Sequence, residues 1–324
     1  MQIREQGETP EAIETRGADI AATLKGVPDK LRDIWLARAD VAAALGFVWG
    51  ETGHWANAVE WLDKALHAET GDCPVRAVEQ CANFRVRLSG ERWALLRATP
   101  DGANKEAERQ DLIVQIEQAL RELDRVNLRA RTPERLSLRG SAYKRLAWLQ
   151  SGKKLRLKAL VNMANSYLQA HELILKHAKE RNEQPGAYGF TNWATAKVLC
   201  EFYDPEQDKA WRKTLEDDCQ QMIEDAHARN QNNPNYWDSV AEADCELLLL
   251  LAQGVVAAEG VELAKAAKAA ADRIAKRYRA AAKRGASPRE YASVLEHLDF
   301  VIALSGISSD GDLTEALAAL RGAL

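Results

Sequence analysis

Residues Thr132–Ala147 read TPERLSLRGSAYKRLA. Thr132 can cap a helix, and Pro133 suits the first helical position, where no backbone donor is lost. Leu136, Tyr143, Leu146 and Ala147 then recur at helical spacing, and Gly140 lets a second helix approach closely. Ser141, Lys144 and Arg145 fall on another face of the same helix. Packing alone does not require two adjacent cations there, so this face raises the question of a ligand.

Outward from this segment the chain keeps the same grammar. Its 324 residues are enough for a substantial core, and Ala and Leu abound while β-branched runs are rare. Stops at Gly26–Pro28, Gly53, Gly71–Pro74, Pro100–Gly102, Gly152, Pro185–Gly186, Gly260 and Ser309–Gly311 divide it into about a dozen helical segments. Thr9–Pro10, Thr132–Pro133, Asp204–Pro205, Asn233–Pro234 and Ser287–Pro288 share one device, a capping side chain followed by proline. Short breaks between amphipathic helices give antiparallel neighbours. The expected fold is therefore all-α, a superhelical solenoid of degenerate tetratricopeptide-like hairpins. Leu45, Gly46 and Trp49 on one helix, with Ala58, Leu62 and Ala65 on the next, carry the small-and-large pattern of that repeat. Leu136, Gly140 and Tyr143 repeat it, with Ala164 and Leu168 on the expected partner. N-terminal hairpins over residues 1–128 continue into a C-terminal set over 129–324.

The formal net charge is −4, which argues against binding nucleic acid through global charge. The five cysteines form no CxxC pair and read as reduced thiols, which places the chain in the cytoplasm. No apolar run is long enough to span a bilayer, and the charged Met1–Gly26 is not a signal peptide.

The chain resembles the tetratricopeptide-repeat sensor (TPR-S) family of bacterial conflict and cell-death proteins. More distantly it is similar to the helical regulatory region of apoptosis signal-regulating kinases. The likeness is carried by Thr132–Ala147, VEQCANFRVR at Val78–Arg87, FTNWATA at Phe190–Ala196, YWDSVAEADCELL at Tyr236–Leu248 and ASPREYASVLEHLDFVIAL at Ala286–Leu304. It spans roughly residues 75–305. The resemblance implies a sensor of a nucleotide-derived or similar small ligand. It also implies an effector, often a caspase-like CHAT peptidase, as an attached domain or a partner protein.

Positions one, four and five after the helix-A glycine of such a hairpin tend to face the concave surface. Counted from Gly140 these are Ser141, Lys144 and Arg145, a point charge and a planar fork able to hold a phosphate or carboxylate. Glu79, Asn83 and Arg87, four apart, share a face with Gln80 beside it, and could read a ribose or base edge. The simpler reading of that set is a polar seam between repeats. Asn192 and Trp193 could hydrogen-bond and stack on a base, although tryptophan more often fills a core. Asp238, Glu242 and Asp244 form an acidic face or partner the cations. Lys265, Lys268, Lys276, Arg279 and Lys283 make a basic stripe whose bland reading is a solvated surface.

No HExxH, Walker A loop, GxGxxG or nucleophile elbow is present, and no metal-ligand spacing surrounds His171 or His177. The sequence thus points to a binding module without catalytic residues, metal or cofactor. The alternative is a protein-interaction scaffold whose groove holds a peptide or partner helix.

Overall fold

The structure is a computed structural model that describes residue 26 and residues 28–324 except 101, 103, 208, 257–260 and 307–310. The expected stops at Thr9–Pro10, Gly260 and Ser309, and the side chain of Lys265, lie outside the described residues. Among the described residues there are thirteen α-helices, one 3-10 helix and no strand. Proline and glycine breaks set most of the boundaries, so the expected all-α class is the one found.

The chain divides into two compact units, one of residues 1–131 with Ser287–Arg289, the other of Thr132–Ala286 with Glu290–Leu324. In the first unit α1 (Asp29–Leu36) leads into α2 (Ala39–Glu51), α3 (Trp55–His67), α4 (Val75–Ala98) and α5 (Lys105–Asn127), with sequence neighbours packed together. Gly53, at φ 81°, makes the left-handed turn between α2 and α3 that a side chain would resist. The hairpin pattern is realised as expected. Ala58, Leu62 and Ala65 are buried, and a Cβ on Gly46 would stand 2.6 Å from Leu62 Cγ. Around that contact Ala42, Ala43, Ala77, Cys81 and Phe84 complete a core, with Trp49 packed on its edge. Arg85 on α4 ties three helices together, pairing with Asp63 on α3 and, at 3.0 Å, with Glu122 on α5.

The second unit begins with α6 (Pro133–Leu149). Its Thr132 hydroxyl accepts from Arg135 N at 3.2 Å, the expected cap. The unit continues through α7 (Lys153–Arg181), α8 (Tyr188–Tyr203), a 3-10 turn (Ala210–Thr214), α9 (Leu215–Asn232), α10 (Tyr236–Val256), α11 (Val261–Lys283), α12 (Pro288–Ser305) and α13 (Gly311–Gly322). Helix α6 packs on α7, α7 on α8 and α8 on α10, while α10 also packs on α9 and α11, and α11 on α13. Two expected caps move. Asn235, not Asn233, caps α10, its Oδ1 accepting from Asp238 N at 2.9 Å. Asp204 accepts from Glu206 N in a turn and starts no α-helix.

The long α7 ends at Asn182, whose φ of 55° permits Glu183 N to reach Ala178 O at 2.9 Å, a helix-stopping bond of the Schellman kind. The α6–α7 contact sets everything that follows. A Cβ on Gly140 would stand 2.7 Å from the ring of Tyr167, which is itself buried. Tyr167, beside the expected Ala164, is thus the large residue that meets the glycine. With that face of α6 against α7, Ser141, Lys144 and Arg145 must point elsewhere.

Gly140→Val is expected to destabilise the protein by about 2 kcal/mol, the usual scale of overpacking. Adding Tyr167→Leu should recover part of the loss by giving the new methyls room. Urea unfolding of both variants checks this, and a Gly140→Val as stable as the parent would contradict it.

Candidate functional site

Ser141, Lys144 and Arg145 do not lie on an open groove wall. They are buried, Lys144 at 8% and Arg145 at 3% exposure, because α12 runs across this face of α6. Arg145 Nη2 donates to Glu296 Oε2 at 2.6 Å, and its Nη1 donates to Ser141 Oγ at 2.6 Å and Ser141 O at 3.2 Å. Lys144 Nζ donates to His297 Nδ1 at 2.9 Å and lies 5.3 Å from the Phe300 ring centroid. Adjacent cations on α6 are thus met by adjacent acceptors on α12. Helical spacing brings Phe300 onto the same side of α12 as Glu296 and His297. Further bonds hold α12 in place, from Tyr203 Oη to Leu304 O at 3.3 Å and from Arg321 Nε to Asp299 at 2.8 Å.

Next to these cations lies a carboxylate–phenol pair. Tyr278 Oη on α11 donates to Asp244 Oδ1 on α10 at 2.6 Å. Burial pushes the Asp244 carboxyl up to about 6, although the Tyr278 hydrogen bond and the Lys144 charge both favour its ionised form. Burial, then the Lys144 charge, hold the His297 imidazole well below its ordinary value. His297 is therefore neutral near pH 7, and its Nδ1 can accept from a charged Lys144. Burial and the neighbouring Asp244 raise Tyr278 well above the usual phenol range, so it stays a donor.

Two buried donors at this site have no hydrogen-bond partner among the described residues, Arg145 Nε and the hydroxyl of Tyr236. The Tyr236 phenol is raised by burial and by the charges of Asp244 and Glu290, which places it beside the same cluster. The site thus brings together a guanidinium edge, an ammonium and the free phenol of Tyr236, with two carboxylates, Glu296 and Asp244, opposite.

The other sequence-derived residues are placed differently. Asn192 is buried on α8 and donates its amide to Tyr188 O at 2.9 Å. Trp193, half-buried, packs in an aromatic row, 5.8 Å from Phe190 and 5.6 Å from Trp211. In the first unit Glu79, Gln80 and Asn83 are buried on α4, where Asn83 Nδ2 donates to Gln80 Oε1 at 3.0 Å. Arg87 lies with its guanidinium 5.1 Å from the Trp55 ring centroid. The three acids of α10 separate. Asp238 pairs with Arg229 and Glu242 with Arg277, and Asp244 alone joins the cluster. Lys268, Lys276, Arg279 and Lys283 are exposed on α11.

Sequence reasoning missed Glu296, His297 and Tyr278. Glu296 and His297 stand about 150 residues from their partners, and no local spacing marks such a pairing. The available signal was the Glu296–His297 pair within Val294–Leu304, a run that is apolar apart from that pair and Asp299.

Residues 54–197 match the family model described as Tetratricopeptide Repeats-Sensor, TPR-S. No curated protein and no solved structure matches the chain.

Asp244 gives the site a pH signature. An unfolded aspartate titrates near about 4, whereas the folded one titrates at about 6. The folded state therefore holds this proton more tightly, and the resulting stability is full below about pH 4 and lost as pH rises through about 6. Asp244→Asn keeps an acceptor for Tyr278 without the buried charge. Its melting temperature is expected to exceed that of the parent at pH 7.5, with the gap closing by about pH 4.5. A gap that does not change with pH would contradict this.

Proposed function

We propose that the chain, whose residues 54–197 match the Tetratricopeptide Repeats-Sensor family model, is a non-catalytic, ligand-sensing module. Lys144 and Arg145 are its anion anchors, and a phosphate-bearing, nucleotide-like molecule is its ligand. The bound state would control an effector of a prokaryotic immune or cell-death system, such as a caspase-like CHAT peptidase, in the cytoplasm. The observation that carries the reading is the burial of two adjacent cations at one polar site. Burying a charge costs several kcal/mol unless it is well paired, and a helix needing only to pack would place leucine or alanine there. Buried ionisable groups with strongly shifted titration cluster at functional sites more often than elsewhere.

The thiols support the non-catalytic part. Burial pushes Cys81 and Cys200 up to about 12, opposite to the shift that makes a cysteine a nucleophile. No helix among the described residues is long and apolar enough to cross a membrane. The expected amide contacts to a ligand are weakened as a proposal, because Asn83 and Asn192 each spend a donor inside their own helix.

A second reading, a scaffold for a protein partner, draws on Tyr188 and Trp237. These two aromatics are 43% and 41% exposed, with ring centroids 6.1 Å apart in the second unit. Tyrosine and tryptophan are frequent anchors of interfaces.

Thermal shift with pyrophosphate, AMP, ADP and ADP-ribose separates the two. A ligand at a hundred times its Kd stabilises by about 2.7 kcal/mol, a shift of several degrees. At least one of these compounds is expected to raise the melting temperature of the parent. It should not raise that of the Lys144→Gln, Arg145→Gln double variant, with circular dichroism confirming that the variant is helical. An equal shift in both proteins would refute the anchors. No shift with any compound, together with a stoichiometric protein partner lost on Trp237→Ala, would favour the scaffold.

A further inference from the structure

Arg145 is a fork with an unfilled tine. Its Nε and Nη2 lie along one edge of the guanidinium, the edge that a carboxylate or phosphate engages with two parallel bonds. Glu296 supplies one oxygen, Oε2, to Nη2 at 2.6 Å, and the buried Nε has no acceptor among the described residues. Leaving a buried donor without an acceptor is costly, so this contact is poorer than the one the guanidinium could make. One residue further along α12, His297 presents a neutral nitrogen to Lys144 at 2.9 Å. Helix α12 therefore brings Glu296 Oε2 to Arg145 and a neutral nitrogen to Lys144, in consecutive positions, while Arg145 Nε is left without an acceptor among the described residues.

We infer that α12 is an internal stand-in for the ligand: Glu296 and His297 occupy the anion site in the free protein, and a phosphate group binds by displacing them from Arg145 and Lys144. This rests on the reading of Lys144 and Arg145 as anion anchors. It adds the regulation of the site. A tetrahedral phosphate can give Arg145 two oxygens, filling Nε as well as Nη2, and a third to Lys144. A monocarboxylate supplies only two oxygens, enough for Nε and Nη2 of Arg145 but with none left for Lys144. Selectivity for phosphate over carboxylate thus follows from the third oxygen, which lets one ligand replace both Glu296 at Arg145 and His297 at Lys144. The freed segment around Glu296–Phe300 is then the part of the molecule that changes on binding. The bonds from Tyr203 to Leu304 and from Arg321 to Asp299 make α12 a held element with a definite position to leave.

The test uses pyrophosphate and, as the carboxylate control, acetate, with affinities from calorimetry on the full chain. Three proteins are compared, the parent, Glu296→Gln and Arg145→Gln. Glu296→Gln removes the competing charge while keeping both cations and the shape of the side chain. It is expected to bind pyrophosphate at least about tenfold tighter than the parent, while Arg145→Gln binds none. In the parent, pyrophosphate should speed amide hydrogen exchange across residues 293–302, and acetate should not. Binding to the parent with no gain in Glu296→Gln, or with slower exchange across 293–302, overturns the displacement while leaving the anion site standing. Absence of binding to both the parent and Glu296→Gln overturns the anion site itself. Circular dichroism and the melting temperature of Glu296→Gln confirm that it is folded.

Discussion

Two adjacent cations, Lys144 and Arg145, are buried on one face of α6, and the second unit is arranged so that this is tolerable. A buried ion pair recovers little net stability, but a buried charge deprived of its partner costs about 3–5 kcal/mol. Helix α12 must therefore lie where Glu296 and His297 reach those cations. The same demand explains Asp244. Its carboxyl, pushed up to about 6 by burial, is held partly ionised by the Lys144 charge and by the Tyr278 hydroxyl. Side chains of α6, α10, α11 and α12 thus meet around charge, whereas close approach at the α6–α7 and α2–α3 contacts rests on Gly140 against Tyr167 and Gly46 against Leu62.

That division of labour follows from the geometry of a hairpin. Gly140 lets Tyr167 approach so closely that one side of α6 is wholly committed to α7. Arg145 is fixed on the other side, about one turn from Ser141, whose hydroxyl and carbonyl both accept from it. A guanidinium held by its own helix in this way loses little freedom when a ligand arrives, which favours tight and oriented binding. Small-residue packing positions the site, and charge pairing decides its occupant.

The all-α class and the hairpin repeats were legible because each is written in local spacing. Gly46 with Leu62, and Thr132 with Arg135, act within a few turns of chain, and the sequence period exposes them. Ser141, Lys144 and Arg145 were found as a set by the same logic, since helical spacing puts them on one face. Their surroundings were not legible. An open groove was expected, but the face is covered by α12, whose Glu296 pairs with Arg145 across 151 positions. Trp193 followed the ordinary rule for tryptophan and packs among aromatics. The caps illustrate the same limit at short range, for Asn233 and Asn235 are both good capping residues and only the path of the turn selects Asn235.

The measurement that reaches the centre of this account is a double-mutant cycle on stability between Arg145 and Glu296. Arg145→Gln, Glu296→Gln and the pair would be compared by denaturant unfolding at pH 7.5. If α12 exists to neutralise buried Arg145, each single change leaves the other charge stranded. The double variant should then be less destabilised than the sum of the singles, by about 2 kcal/mol or more. Strict additivity, with coupling below about 0.5 kcal/mol, would contradict the account.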